Sequence, residues 1–174
     1  KINQVNPSKG ALDFSYLLDA PAGKHGFVQA KNGHLYYEDG TRARFLGFNM
    51  ATRSNAVNHE LAEKLAGRFA SLGVNVIRLH AADAPIGEQE RSWSSCKEAP
   101  LLDYEKGTSR FFHPEGLDRF DYFVAKLKEK GIYIHIDLIV AREFLLGDEL
   151  DYDTKVASCS KCYPMFNERL IELQ

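Results

Sequence analysis

Polar and apolar residues first alternate at the spacing of β-strands along this chain. Between residues 26 and 48, short β-prone segments are separated by Asn32-Gly33 and by Asp39-Gly40. Both dipeptides favour type I′ turns, because the two central residues of such a turn take positive φ. We therefore predict an antiparallel β-meander in this segment, preceded by an irregular lead-in over residues 1–25.

Strand-like and helix-like segments alternate after the meander. We predict three strands and two helices, at 45–49, 74–79 and 132–138 for the strands and near 58–72 and 114–130 for the helices. Asn58 is a typical N-cap, Pro114 is favoured in the first turn of a helix, and Gly73 and Gly131 follow positions where the helical pattern stops.

Each predicted helix carries an apolar stripe at helical spacing. In the first helix the stripe is Leu61, Leu65, Phe69 and Leu72, with Ala62, Ala66 and Ala70 beside it, and in the second it is Leu117, Phe120, Val124 and Leu127. The last predicted strand, 132–138, is apolar at nearly every position. Such a run is typical of a parallel strand that is covered on both faces.

Strand–helix alternation implies right-handed βαβ units and a parallel sheet. An open doubly wound sheet usually has a glycine-rich phosphate turn after its first strand, and residues 49–53 contain no such motif. A (β/α)8 TIM barrel remains, and such a barrel takes about 250 residues. The predicted fold class is α/β. Residues 26–174 comprise the β-meander and, after it, the first three βα units of a truncated (β/α)8 barrel.

Three segments resemble, in order and spacing, the start of the barrel in glycoside hydrolase family 5 and its clan A relatives. They are Gly40–Asn49, Leu72–Leu79 and Leu127–Leu138. The resemblance implies retaining hydrolysis of a β-glycosidic bond by two carboxylates about 5–5.5 Å apart. Ile139 stands where the family commonly has a histidine, so the resemblance is to a divergent branch.

The resemblance also says where the catalytic glutamates belong. The acid/base glutamate of these families follows an asparagine at the end of the fourth strand, and the nucleophile ends the seventh. Asn167-Glu168 matches the first motif superficially, but Pro164 precedes it where a strand is required. We predict Glu168 in the first turn of a third helix, and no catalytic glutamate within these 174 residues.

Five residues are candidates for binding substrate or supporting the site. Four of them close or follow predicted strands, namely Asn49, Arg78, His80 and Asp137. The fifth, Trp93, lies in the long loop 81–112. Because the active sites of barrels form at the carboxyl ends of their strands, the first four are expected to converge there.

Each candidate also has a purely structural interpretation. The resemblance implies that Arg78 supports the nucleophile carboxylate, and the alternative is an ion pair inside the barrel. His80 binds sugar hydroxyls or is a satisfied rim histidine, and Asn49 contacts a sugar or closes a turn. Asp137 contacts a sugar or pairs with Arg78 or Arg142. Trp93 stacks on a sugar ring or anchors its loop.

The net charge and the cysteine content limit the kinds of partner, disulfide and metal site that we expect. The formal net charge is −2, so there is no basic excess for nucleic acid or a membrane surface. Three cysteines, Cys96, Cys159 and Cys162, do not make a fully paired disulfide framework. The spacing of the last two is incidental, a disulfide, or half of a metal site that lacks further ligands. We predict no cofactor and no metal. The sequence begins at Lys1, so we expect a processed or trimmed product, and a removed secretion signal, with a secreted or periplasmic location, would fit it.

The sequence as a whole predicts the N-terminal part of a retaining glycosidase that acts on a β-linked glycan and is inactive by itself. Its expected partners are the glycan and either a second copy or the missing barrel segment. One alternative is a non-catalytic domain that binds a carbohydrate or a protein. A third hypothesis is a small βαβ enzyme in which Arg78, His80 and Asp137 are catalytic.

Overall fold

The computed structural model describes residues 12–84, 99–149 and 165–172, which divide between two compact units. The first unit covers 12–49, 58–78 and 122–135, and the second covers the remaining described residues. The elements in chain order are β1 (Val28–Lys31), β2 (His34–Tyr37), β3 (Gly47–Ala51), α1 (His59–Ser71), β4 (Val76–His80), α2 (Pro114–Glu129), β5 (Tyr133–Ile136) and α3 (Glu168–Glu172).

The first predicted hairpin is confirmed. β1 and β2 pair antiparallel, with Lys31 opposite His34, and the turn residues Asn32 and Gly33 have φ of 51° and 73°. These positive angles at both central positions are the type I′ geometry that the dipeptide predicts. Beyond the second turn the meander continues only as one antiparallel bridge, between Tyr36 and Arg42, and not as a full third strand.

The three-stranded sheet has the order β3-β4-β5 and is parallel, as predicted. The N–H of Tyr133 donates to the Asn75 carbonyl at 2.8 Å, and the N–H of Asp137 donates to the Leu79 carbonyl at 3.2 Å. Hydrogen-bonded positions therefore advance together along β4 and β5, which happens only when two strands run in the same direction.

β3 begins two residues later than the sequence pattern predicts, and Asn75 gives the reason. The N–H of Leu46 donates to the Asn75 side-chain oxygen, and the Asn75 amide donates to the Arg44 carbonyl, both at 2.7 Å. A side chain thus occupies the place of a neighbouring strand for these backbone groups. The asparagine of the segment Leu72–Leu79 has a structural role here, as a clamp on the approach to β3.

α1 has the predicted ends but a different covered face. Asn58 caps it by accepting the N–H of Leu61 at 2.9 Å, and Gly73 follows the helix with φ of 73°. The buried side chains are the alanine line Ala62, Ala66 and Ala70, whereas Leu61 and Leu72 are more than a third exposed. The apolar stripe is therefore only partly covered, since Leu65 and Phe69 are half-buried, and the alanines beside it form the buried line.

β5 is less covered than predicted. Ile132, just before the strand, is buried, but Ile134 and Ile136 are about 40% exposed and Leu138 is 79% exposed. Ile77 and Leu79 of β4, in contrast, are completely buried. Part of 132–138 is therefore uncovered among the described residues, which is the exposure expected of an incomplete barrel, whereas Ile77 and Leu79 of β4 do not show it.

The third helix begins where the sequence predicts. Asn167 caps α3 by accepting the N–H of Leu170 at 3.1 Å, and Glu168 lies in the first turn. Glu168 is thus a helical residue and does not close a strand. None of the helices in the described ranges is both long enough and apolar enough to cross a lipid bilayer.

Candidate functional site

A polar pair joins β3 to β4 within the first unit. Arg78 Nη1 donates to Asn49 Oδ1 at 3.4 Å, a long hydrogen bond for these groups. The position of Gly47 against Val76 sets the register that brings these two side chains beside one another, because residues two apart on a strand share a face. Both residues are exposed.

A shorter contact lies within the second unit, between His80 at the end of β4 and Asp137 just after β5. His80 Nδ1 is 2.6 Å from Asp137 Oδ2, with a third of the histidine side chain exposed and the aspartate mostly covered. A carboxylate oxygen only accepts, so the His80 Nδ1 carries the proton of this contact, which fixes the orientation of the ring. The pair therefore presents an oriented imidazole.

Asn55, which the sequence analysis missed, holds the backbone under His80. Its side-chain amide donates to the His80 carbonyl at 2.8 Å, and the residue is 1% exposed. Its side-chain oxygen has no hydrogen-bond partner among the described residues. Asn55 ends the short 3-10 turn Thr52–Asn55 after β3. Its only sequence signal was a polar side chain following a strand, which is also typical of an ordinary turn.

Asp83 is a second residue that the sequence analysis missed. It is buried, and its carboxylate accepts three consecutive backbone N–H groups from the segment after β5: Val140 at 2.8 Å, Ala141 at 3.0 Å and Arg142 at 3.1 Å. One side chain from the segment after β4 thus fixes the course of the chain after β5. Both segments lie at the carboxyl ends of parallel strands, where loops carry function in barrel folds.

Tyr104 reinforces this junction. Its hydroxyl donates to the Asp83 carbonyl at 2.7 Å and accepts the N–H of Glu143 at 3.2 Å. Burial raises the pKa of Tyr104 well above its ordinary value, so the phenol stays protonated and remains a donor at neutral pH.

A second buried aspartate, Asp148, organises the neighbouring loop. It is fully buried and accepts hydrogen bonds from the Thr108 hydroxyl at 2.5 Å, the Ser109 N–H at 3.0 Å and the Leu145 N–H at 2.8 Å. Burial by itself raises the pKa of Asp148, but the hydrogen bonds from Thr108, Leu145 and Ser109 together bring it below the ordinary value. Asp148 is therefore an ionised structural centre and not an acid poised to donate a proton.

Four of the five candidate residues are thus placed in two pairs, Arg78 with Asn49 and His80 with Asp137. Trp93 and the three cysteines, Cys96, Cys159 and Cys162, lie outside the described residues. The functional roles of all five stay predictions. Within residues 12–84, 99–149 and 165–172, no group of three or more His, Cys, Asp or Glu side chains is arranged to hold a metal ion.

Comparison with known proteins gives little beyond this geometry. No family model matches the chain, and no curated protein matches it. Among solved structures it is similar to a glycoside hydrolase family 5 protein from Bacteroides vulgatus ATCC 8482, at 15% identity and a TM-score of 0.47 over 68% of this chain. It is also similar to a protein described as a glycoside hydrolase, at 18% identity and a TM-score of 0.47 over 68% of this chain. The chain covers 25% and 26% of these two proteins, about a quarter of their length.

Proposed function

We propose that this chain forms the first βα units of a (β/α)8 barrel that hydrolyses a β-linked glycan with retention of configuration. The resemblance of three segments to glycoside hydrolase family 5 supports this proposal. The observation that carries it is the His80–Asp137 contact of 2.6 Å, an oriented polar pair at the carboxyl ends of two parallel strands. Barrel enzymes assemble their active sites at these strand ends.

Each polar pair has a role under this proposal. The Arg78 guanidinium forms charge-assisted hydrogen bonds with the nucleophile carboxylate, which holds that carboxylate ionised and in place. Asn49 restrains the guanidinium. The neutral His80 ring accepts a sugar hydroxyl at Nε2, while Asp137 keeps the ring in the required tautomer. The two catalytic glutamates belong to the fourth and seventh strands of such a barrel, so the units described here provide binding and support.

The test of the proposal is turnover on a panel of β-linked glycans, measured in the chain joined to the rest of its barrel. Arg78→Ala should lower kcat/KM by about 10²–10³, since it removes a charge partner of the reacting carboxylate. Arg78→Lys should also be harmful, because lysine cannot form a two-pronged contact with a carboxylate. Arg68→Ala, on α1, is the matched control and should have normal turnover. Near-normal turnover of Arg78→Ala, with melting curves showing that all variants fold, would remove this site from the proposal.

The His80–Asp137 pair also favours a second candidate function. An imidazole oriented by a carboxylate can act as a general base, so a small hydrolytic enzyme on a non-glycan substrate would use the same two residues. The Asp137→Asn variant distinguishes the two candidates. Loss of the oriented tautomer should abolish general-base catalysis on a panel of esters and amides. Under the glycosidase proposal those substrates are not turned over at all.

We further propose that the exposed apolar side chains of β5 and its continuation are covered by another segment, either the next part of the barrel or a second copy. Leu138 is 79% exposed, and burying such a side chain is worth roughly 1.5–3 kcal/mol. Leu138→Ser should therefore reduce self-association of the 174-residue chain in sedimentation velocity. Leu12→Ser, at an equally exposed leucine, is the control. A wild-type chain that stays monomeric at high concentration would contradict this part of the proposal.

A further inference from the structure

One face of the β1–β2 hairpin gathers positively charged side chains. Lys31 is paired with His34, and Tyr36 is bridged to Arg42. Paired residues share a face of a sheet, and so do residues two apart on one strand. Arg44 follows Arg42 by two positions and continues the same row. We call the set Lys31, His34, Arg42 and Arg44 the cationic face.

The opposite face of the hairpin is aromatic and packed. Tyr37 stacks on Tyr133 with ring centroids 5.5 Å apart, and Phe45 meets Tyr133 edge-on at 5.7 Å. This packing fixes which side of the hairpin is covered. The cationic face lies on the other side, and its four residues line one hollow of about 450 Å³ together with the turn residues Asn32 and Gly33 and with Ala30, Leu35 and Ala43.

Among the residues that the structure describes, no acidic one lines this hollow. The nearest acids along the chain are directed elsewhere: Asp39 accepts from His25 at 2.5 Å and from the N–H of Thr41 at 2.8 Å, and the Glu38 side chain lies against Gly26. Arg42 Nη2 donates to His34 Nδ1 at 3.0 Å, a neutral acceptor that leaves the guanidinium charge uncompensated. Like charges on neighbouring strands are destabilising, and a bound anion would relieve this repulsion.

We propose that the cationic face binds the carboxylate or sulfate group of an acidic saccharide. Arginine is the side chain best suited to a two-pronged contact with such oxyanions, and Arg42 and Arg44 stand on the same row. Asn32, in the turn that lines the same hollow, carries a side-chain amide that can bind sugar hydroxyls. The choice of a saccharide rests on the proposed function, but the anion site itself does not.

The pI of the chain and the number of charges on the cationic face argue against a nucleic acid as the ligand. Domains that bind nucleic acid carry an extended basic stripe and have a pI above about 9. This chain has a pI near 6.3 and a net charge of −2, and the cationic face has three permanent charges. That number suits one or two anionic groups and not a phosphate backbone.

The test is calorimetric titration of the 174-residue chain at low ionic strength with four probes: a β-linked uronic acid disaccharide, a sulfated β-linked disaccharide, the same disaccharide without sulfate, and a short single-stranded RNA. At least one acidic sugar should bind, about tenfold or more tightly than the neutral one. Arg42→Gln and Arg44→Gln should each weaken that binding about tenfold. Lys130→Gln, at an exposed lysine outside this face, is the charge-matched control and should bind normally. Circular dichroism checks that each variant folds.

Each of the other outcomes overturns the proposal. Equal affinity for charged and neutral sugars would remove the anion from it, and binding of the RNA more tightly than either acidic sugar would replace the saccharide with a polyanion. An equal loss of affinity in Lys130→Gln would show non-specific attraction, and no binding at all would eliminate the site. Because no turnover is measured here, failure of the glycosidase proposal and failure of this one are separate results.

Discussion

Aspartates in this chain lie in two opposite kinds of surroundings, one buried and one at the surface. In the second unit, Asp148 is fully buried, accepts hydrogen bonds from Thr108, Ser109 and Leu145, and lies 3.9 Å from Arg110 Nε. In the first unit, Asp19 and Asp39 flank His25 at the surface, with their side chains 61% and 39% exposed. The residue types are the same, but water reaches only the second group.

This difference decides how much each group contributes to stability. A buried carboxylate that loses a donor leaves an unpaired polar group in a medium of low dielectric, which costs several times more than the net gain of making the bond. An exposed ion pair exchanges its partner for water and is screened by salt. Short distances in both groups therefore do not by themselves show a large contribution to stability. Burial distinguishes Asp148 from the surface group of His25, Asp19 and Asp39, which we call the surface staple.

The largest effect is expected from Asp148→Asn. The amide keeps the volume of the carboxylate, but it accepts more weakly, and its NH2 group must face donors such as the N–H groups of Ser109 and Leu145. We expect the free energy of unfolding to fall by about 2–4 kcal/mol, measured by urea denaturation at pH 7.

The matched control is the next residue in the chain. Glu149→Gln removes an exposed carboxylate that pairs with Arg110 at 2.7 Å and with Arg169 at 2.5 Å, and because both pairs lie at the surface it should cost at most about 1 kcal/mol. The pKa of Asp148 is lowered in the folded chain, so its stabilisation is present above the ordinary value of 3.8 and is lost as the pH falls through the folded value. The gap between wild type and Asp148→Asn should narrow accordingly at acid pH. Equal costs for the two variants at pH 7 would contradict the distinction drawn here.

A smaller and more local effect is expected from Asp83→Asn. The substitution weakens the hold on Val140, Ala141 and Arg142 but leaves the elements themselves intact. We expect a loss of about 1–3 kcal/mol and faster hydrogen exchange at those three amides. Asp121→Asn, at an exposed position of α2, is the control. Unchanged exchange at the three amides in Asp83→Asn would show that this carboxylate does not hold the segment after β5.

The elements of the fold were predictable because their signals are local. Asn32-Gly33 requires a particular turn, Asn58 and Gly73 mark the ends of α1, and the strands and helices alternate in order. Each signal acts within a few residues and needs no partner elsewhere in the chain. The covered face of α1 was not predictable in this way, because the choice between its alanine line and its leucine line depends on what packs against the helix.

The candidate site was predictable only where strand position was enough. Arg78 and His80 were found because they occupy the end of a strand, and Asp137 because it follows one. Asp83 also follows a strand, but its partners are the amides of Val140 to Arg142, more than fifty residues away. Backbone N–H groups leave no trace in side-chain identity, so nothing in the sequence separates Asp83 from any other loop aspartate.

The smallest effect is expected at the surface staple of His25. Hydrogen bonds to Asp19 and then to Asp39 raise the pKa of His25. The pKa of Asp19 is lowered, first by Lys24 and then by His25, and that of Asp39 is lowered mainly by the backbone N–H of Thr41. Tyr37, whose ring lies 5.6 Å from that of His25, has its pKa raised to about 12, mainly by burial, and stays neutral throughout.

These directions define a pH window. A raised histidine pKa contributes stability that is fully present below the unfolded value of about 6.5 and is lost as the pH rises through the folded value. Lowered aspartate pKa values contribute stability that is present above about 3.8 and is lost as the pH falls through the folded values. Wild type should therefore melt above His25→Gln between about pH 4.5 and 6, by at most about 3 °C, and the difference should vanish by about pH 9. Salt at 1 M should reduce the gap, because the charges are exposed.

The control is His34→Gln, at a histidine outside the staple, whose difference from wild type should not follow this window. A gap that stays constant with pH, or one that widens toward pH 9, would mean that His25 stabilises the chain by packing against Tyr37 and not by its charge.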